Sequence, residues 1–235
     1  MSAVADSLMT TDSPPISAPL GTIAHRTWNV CEGFLGVPGT GKTTLAVRRC
    51  LELQATPCYV LCHDQGLNIP PTIPGGIPTN LIRHKSVDDA ARQLARDGRG
   101  IHCLNVEAVE VIAFADRLAQ RSLQLGGGHA GVPVILYIDE AVLATDMTPH
   151  HLSPPLKALL ALRRHKHVGI LWTSQSPGFI HRQMVEMGNY VYLFRIVGKL
   201  GAQRLREAGV PEPIIDRVAT LPDHEFIRYK LGSPI

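Results

Sequence analysis

The sequence predicts an α/β fold, a three-layer αβα sandwich around a mainly parallel central sheet, and three observations carry that expectation. Short apolar runs alternate with stretches of helical spacing along most of the chain. Those runs are apolar at consecutive positions rather than at every second one, as strands covered on both faces must be. The length, 235 residues, supplies one sizeable core and little room for a second.

The elements follow in order. WNVCEGFLG, from Trp28, reads as the first strand, TTLAVRRCLELQA as a helix and PCYVLCHD as the second strand, followed by a Pro/Gly loop from Leu67 to Pro78. NLIRH and GIHCLNV are strands on either side of VDDAARQLARD, whose helical spacing is preceded by Ser86 as N-cap. Next come a helix over EAVEVIAFADRLAQRSL, a GGGHAG turn, the strand VPVILYIDE, a helix over SPPLKALLALRRHKH and the strand VGILWTSQ. The tail repeats the alternation: helical HRQMVEMG, the strand YVYLFRI, helical KLGAQRLREAG and a last strand EFIRYKL. Residues 1–25, rich in Ser, Pro, Thr and Ala without an apolar face, are expected to form a flexible arm ahead of a single domain over 26–235.

Composition narrows the function classes. With 45% hydrophobic and 18% charged residues the chain is not disordered throughout. The sum of 23 basic against 20 acidic side chains leaves +3, too little to announce a nucleic-acid binder from global charge, so any polyanion contact is local. Cys31, Cys50, Cys58, Cys62 and Cys103 are odd in number and lie mostly inside apolar runs, which fits reduced thiols in an intracellular protein. Cys58, Cys62 and His63 lack a second Cys/His pair at zinc spacing. No apolar run reaches the roughly 18 residues of a membrane span, and the first residues lack the basic and apolar regions of a secretory signal, so the expectation is a cytoplasmic protein with no transmembrane segment.

GVPGTGKT satisfies G-x-x-x-x-G-K-[ST] after an apolar strand and at the opening of a helix, the context this phosphate-binding loop requires. Gly36, Gly39 and Gly41 let the backbone curl so that N–H groups face a β-phosphate, with Val37, Pro38, Thr40 and Thr44 completing the cradle. Lys42 is placed to bridge the β- and γ-phosphates of ATP, and the Thr43 hydroxyl to ligate Mg²⁺.

VPVILYIDE ends a buried strand in two carboxylates and resembles a Walker B segment. Asp139 is the candidate for holding the Mg²⁺ hydration shell and Glu140 for general base, although an Asp-Glu pair also caps helices. VGILWTSQ ends in Thr173, Ser174 and Gln175, where an amide can bond both a γ-phosphate and an attacking water, or where polar residues simply meet solvent. Between these strands lies LRRHKH, whose charge suits a helix C-terminus. Arg163 and Arg164 nevertheless sit where an arginine can be offered to a neighbouring subunit's γ-phosphate, and Arg164 is the candidate. Lys166, Arg182, Lys199, Arg204 and Arg206 are scattered over helices and read as solvated faces.

On these residues the chain resembles the FtsK/HerA superfamily of P-loop ATPases, whose domains are RecA/FtsK-like. That group includes DNA-pumping motors, Zot-like phage morphogenesis proteins and the genome-packaging ATPases of membrane-containing icosahedral viruses. The segment RHKHVGILWTSQSP carries the resemblance, with Arg164, Gly169 and Gln175 matching the family's Arg, Gly and strand-ending Gln. LREAG, a short helix and LPDHEFIRY resemble the family's closing elements, so the likeness covers about residues 28–232. Large cellular motors carry further domains and Zot-like proteins continue into a transmembrane segment; neither is present in this sequence. The resemblance therefore implies a viral genome-packaging ATPase that uses ATP and Mg²⁺. It further implies a homo-oligomeric ring of about five or six subunits around double-stranded DNA, partnered by capsid or vertex proteins, in the host cytoplasm and at the virion vertex. A Zot-like assembly or secretion factor and a small-molecule kinase are the competing readings.

Overall fold

The computed structural model describes residues 29–64, 66–126, 131–144, 151–175 and 177–231; the expected N-terminal arm lies outside the described residues. The chain runs β1 (Cys31–Leu35), α1 (Lys42–Leu53), β2 (Tyr59–His63), β3 (Thr72–Ile73), β4 (Ile77–Pro78), β5 (Leu81–His84), α2 (Val87–Arg96) and β6 (Ile101–Leu104). It continues through α3 (Ala108–Leu125), β7 (Val134–Ile138), α4 (Pro154–Leu162), β8 (Val168–Ser174) and α5 (Arg182–Glu186). β9 (Tyr190–Leu193), α6 (Lys199–Glu207), α7 (Glu212–Ala219) and β10 (Ile227–Lys230) complete it.

Eight strands form one sheet in the order β10-β9-β1-β8-β7-β2-β6-β5. Every pairing is parallel except that of β10 with β9. The runs of buried residues explain this arrangement: all five positions of β1 and β7 and all seven of β8 are inaccessible, so these strands can only lie centrally with helices on both faces.

The two covering layers are unequal. Cys31, Leu35, Leu136, Ile138 and Trp172 face a thick layer containing side chains of α2 through α7. The alternate residues Phe34, Cys62, Tyr137, Leu171 and Tyr192 face α1 and, from the β2–β5 connection, Ile69 and Ile73. The Pro/Gly stretch expected as a loop thus contains a small antiparallel β3–β4 hairpin that helps close the thin side. Gly33 is where the sequence makes room on the thick side: a Cβ there would lie 2.3 Å from the buried Trp172 ring.

All five cysteines are free and buried. The Ser86 hydroxyl caps α2 by accepting the Asp89 N–H at 3.2 Å. The helix expected over SPPLKALLALRRHKH is cut short. α4 stops at Leu162, and Arg163 to His167 form turns. The chain must reverse there to enter β8: the Arg163 carbonyl accepts the Val168 N–H at 2.9 Å, and His167 takes a left-handed φ of +55°. The Arg163 guanidinium is drawn inward to the Met187 carbonyl, 3.3 Å away.

Candidate active site

The parallel strands end along one edge of the sheet, where ligands bind in α/β folds. β1 leads into the Gly36–Thr43 loop, and the loop into α1. Gly39 and Gly41 adopt φ of +79° and +96°, left-handed values that glycine accepts without penalty, and Gly41 is the N-cap of α1. The loop hangs between two strand ends. The Gly36 N–H donates to the Ser174 carbonyl at 3.2 Å, and the Val37 N–H to the Arg195 carbonyl at 2.9 Å. The Val37 carbonyl accepts the Thr40 hydroxyl at 2.8 Å and the Lys42 ammonium at 2.9 Å, so Lys42 lies across the mouth of the loop. Burial pushes the Lys42 ammonium below its ordinary pKa, against the pull of Glu140 and Asp139. Pro38 and Gly39 are exposed, and Thr44 is partly buried on the first turn of α1.

Asp139, just past β7, is the hub. Its Oδ1 accepts the Thr43 hydroxyl at 3.2 Å, the Tyr137 phenol at 2.8 Å and the Thr173 hydroxyl at 2.8 Å. Its Oδ2 accepts the Asn68 amide at 3.2 Å. Complete burial pushes the Tyr137 phenol well up, with Asp139 adding to the effect, so it stays protonated and remains a donor. The Thr173 hydroxyl in turn accepts the Glu140 N–H at 2.9 Å, which ties the end of β7 to the end of β8.

Glu140 has φ of +59°, uncommon for a residue with a Cβ. Its carboxylate is thereby directed to β8, where Oε1 accepts the Ser174 hydroxyl at 3.1 Å and the carboxylate also takes the Gln175 backbone N–H. Burial pushes the Glu140 carboxyl up; the Ser174 bond opposes that, Asp139 reinforces it, and Lys42 opposes it. A carboxylate whose pKa is moved toward neutrality is a stronger base than an exposed one.

The loop residues Gly36 to Thr43, Asp139, Glu140 and the β8 tip therefore share one edge of the sheet. Gln175 is exposed directly beyond β8. Arg164 is elsewhere: it precedes β8, at the opposite end of a seven-residue strand, roughly 20 Å from its own phosphate loop. It is exposed, whereas Arg163 is buried and bonded. Lys166, Arg182, Arg204 and Arg206 pair with Asp116, Glu186, Glu207 and Glu212.

Two of the donors to Asp139 carry no motif. Tyr137 looks like strand filler in an apolar run, and Asn68 lies in the loop beyond β2. Behind Asn68, the fully buried Asp64 accepts its N–H at 2.8 Å and the Arg83 guanidinium at 3.1 Å, which fixes the turn that delivers the amide. The signal for Asn68 is position alone, in the loop that follows the carboxyl end of β2.

The residues fit the groups expected from the loop. A glycine-bent loop with a lysine across it suits a polyphosphate, and the hydroxyl and carboxylate oxygens of Thr43 and Asp139 are the hard donors Mg²⁺ takes. Among the described residues no helix is long and apolar enough to cross a membrane.

The sequence matches no protein-family model and no curated protein. Solved structures do match. The chain is similar to the genome packaging NTPase B204 from Sulfolobus turreted icosahedral virus 2 in complex with AMPPCP, with a TM-score of 0.66 and 15% identity, over 87% of this chain and 94% of that one. The same NTPase in complex with ATP-gammaS gives 0.63 at 15% identity, over 85% and 90% of the two chains. The DNA-packaging ATPase B204 from Sulfolobus turreted icosahedral virus gives 0.61 at 14%, over 87% and 93%. The likeness shows the fold: an α/β P-loop NTPase fold with a mostly parallel central sheet, as the sequence predicts.

Proposed function

We propose that this chain is an ATP-hydrolysing DNA motor of the FtsK/HerA kind, acting in viral genome packaging. The observation that carries the reading is the insertion of β8 between β1 and β7, which brings a polar strand tip between the phosphate loop and the acidic pair. That tip places Ser174 and Gln175 against Glu140, an arrangement suited to activating and orienting a water. A kinase would need an acceptor-binding lid there instead. The similar structures are described as genome-packaging and DNA-packaging enzymes, which supports the same role here.

In this reading the loop from Gly36 to Thr44 binds the phosphates of ATP, with Lys42 moving from the Val37 carbonyl to a phosphate oxygen. Thr43 and Asp139 would hold Mg²⁺, which when bound neutralises phosphate charge. Glu140 takes a proton from the attacking water, and Gln175 hydrogen-bonds that water or the γ-phosphate. Arg164 cannot reach its own site and, being exposed, serves the neighbouring subunit of a homo-oligomeric ring. Double-stranded DNA passes through the ring toward the capsid vertex, which places the protein in the host cytoplasm and then the virion.

The test is ATPase activity without any phosphate acceptor, measured with and without double-stranded DNA. Stimulation by duplex that falls steeply as salt rises is expected; activity that appears only with a small-molecule acceptor sinks the reading. For Arg164, Lys42→Ala and Arg164→Ala subunits, each inactive alone, should regain activity when mixed. No recovery at any ratio removes the arginine from its role between subunits.

A further inference from the structure

The segment LPDHEF, between α7 and β10, is bound to the phosphate loop, and nothing in the hydrolytic scheme uses it. Its His224 holds a left-handed φ of +67° while exposed to solvent. The His224 ring lies against Gly41: its Nδ1 is 3.0 Å from where a Cβ on Gly41 would be. The segment is anchored on both sides of that histidine. Asp223 pairs with the Arg195 guanidinium at 2.9 Å, and the Arg195 carbonyl accepts the Val37 N–H of the loop. Phe226 packs on Phe194, with ring centroids 5.4 Å apart, and Phe194 stands directly beside Gly36.

The sheet order gives this placement its meaning. From β1, the acidic pair and its hydroxyls lie on the β8 and β7 side, so the terminal phosphate must point that way. A nucleotide with its phosphates in the loop then leaves on the other side, over β9 and β10, where Arg195, Asp223 and His224 are. From this juxtaposition we infer that the His224 segment is the nucleoside subsite, its imidazole forming a stacking face for the base. A flat ring face recognises a flat ring and not a hydrogen-bonding edge, so the subsite takes purine nucleotides without choosing between adenine and guanine. The left-handed backbone aims the imidazole back onto the loop, and the Arg195–Asp223 pair keeps the face in register with the phosphates.

The inference rests on nucleotide binding by the loop, so the experiment separates the two. Equilibrium binding of ADP and of GDP is measured by calorimetry for the natural chain, His224→Asn and His224→Phe. Asparagine accepts the left-handed backbone but has no ring, and phenylalanine keeps a ring. His224→Asn should weaken ADP and GDP by the same factor, roughly five- to a hundredfold, while His224→Phe stays within about threefold of the natural chain. Unchanged binding in His224→Asn overturns the subsite and leaves the loop reading standing. So does a loss confined to one nucleotide, or an equal loss in His224→Phe. If the natural chain binds neither nucleotide, and Lys42→Ala makes no difference, both readings fall together.

Discussion

Two sets of charge lie along α1, one near its end and one at its first turn, and they are built on opposite plans. Beneath the helix, Glu32 of β1 meets Arg49 of α1 through Nε to Oε2 at 2.9 Å and Nη2 to Oε1 at 3.2 Å. Glu52 accepts the remaining Arg49 Nη1 at 3.1 Å, and the Tyr192 phenol donates to Glu32 Oε2 at 3.4 Å. Donors and acceptors match, so this cluster is complete and holds β1 and α1 in the geometry that bends the loop between them. At the sheet edge, Lys42 rests on a carbonyl, and Asp139 and Glu140 lean on neutral hydroxyls and amides. Burial opposes the charges of Lys42 and Glu140 alike. The first plan makes structure; the second leaves charges without opposite partners, as the proposed nucleotide site requires.

The comparison breaks most visibly at Glu140. Glu140→Gln keeps the shape and removes the base, so turnover should fall about a hundred- to ten-thousandfold while ADP still binds; a near-natural rate would take Glu140 out of the chemistry. Next comes the closed cluster. Arg49→Ala leaves the Glu32 carboxylate buried without its partner and should cost about 3–5 kcal/mol in denaturant unfolding. The double variant Glu32→Leu with Arg49→Met, apolar on both sides, should recover most of that loss. If Arg49→Ala costs no more than removing a surface pair, the cluster is not the brace described above.

The sequence made this second site far more legible than the first. The phosphate loop, the acidic strand end and the polar end of β8 each follow a strong apolar run, so element and site residue are read together. Glu32 and Arg49 were passed over because they lie 17 residues apart and belong to no motif, although a lone charge inside the fully buried run CEGFL was a signal. Asn68 escaped for another reason: its amide reaches Asp139 across 71 residues through a turn set by Asp64 and Arg83, which no local spacing encodes. The basic run after α4 shows the limit of periodicity. Arg163 to Lys166 would extend the helix by propensity, but the return into β8 and the inward pull on Arg163 end it at Leu162.

The finest distinction lies in how the open site is tuned. In the proposed mechanism Glu140 serves as a base only when ionised, so activity should be present above its pKa and lost as pH falls through it. Burial raises that pKa, which moves the acid limb of kcat/KM upward from where an exposed glutamate would set it. The Ser174 hydroxyl works in the opposite sense, because it donates to the ionised form. Ser174→Ala should therefore move the acid limb to still higher pH and leave the rate on the plateau close to natural. A limb that stays in place would mean that the Gln175 N–H alone sets the ionisation of Glu140. A limb that moves to lower pH would contradict the donor role of Ser174, and with it the view that neutral donors rather than cations hold these carboxylates ready.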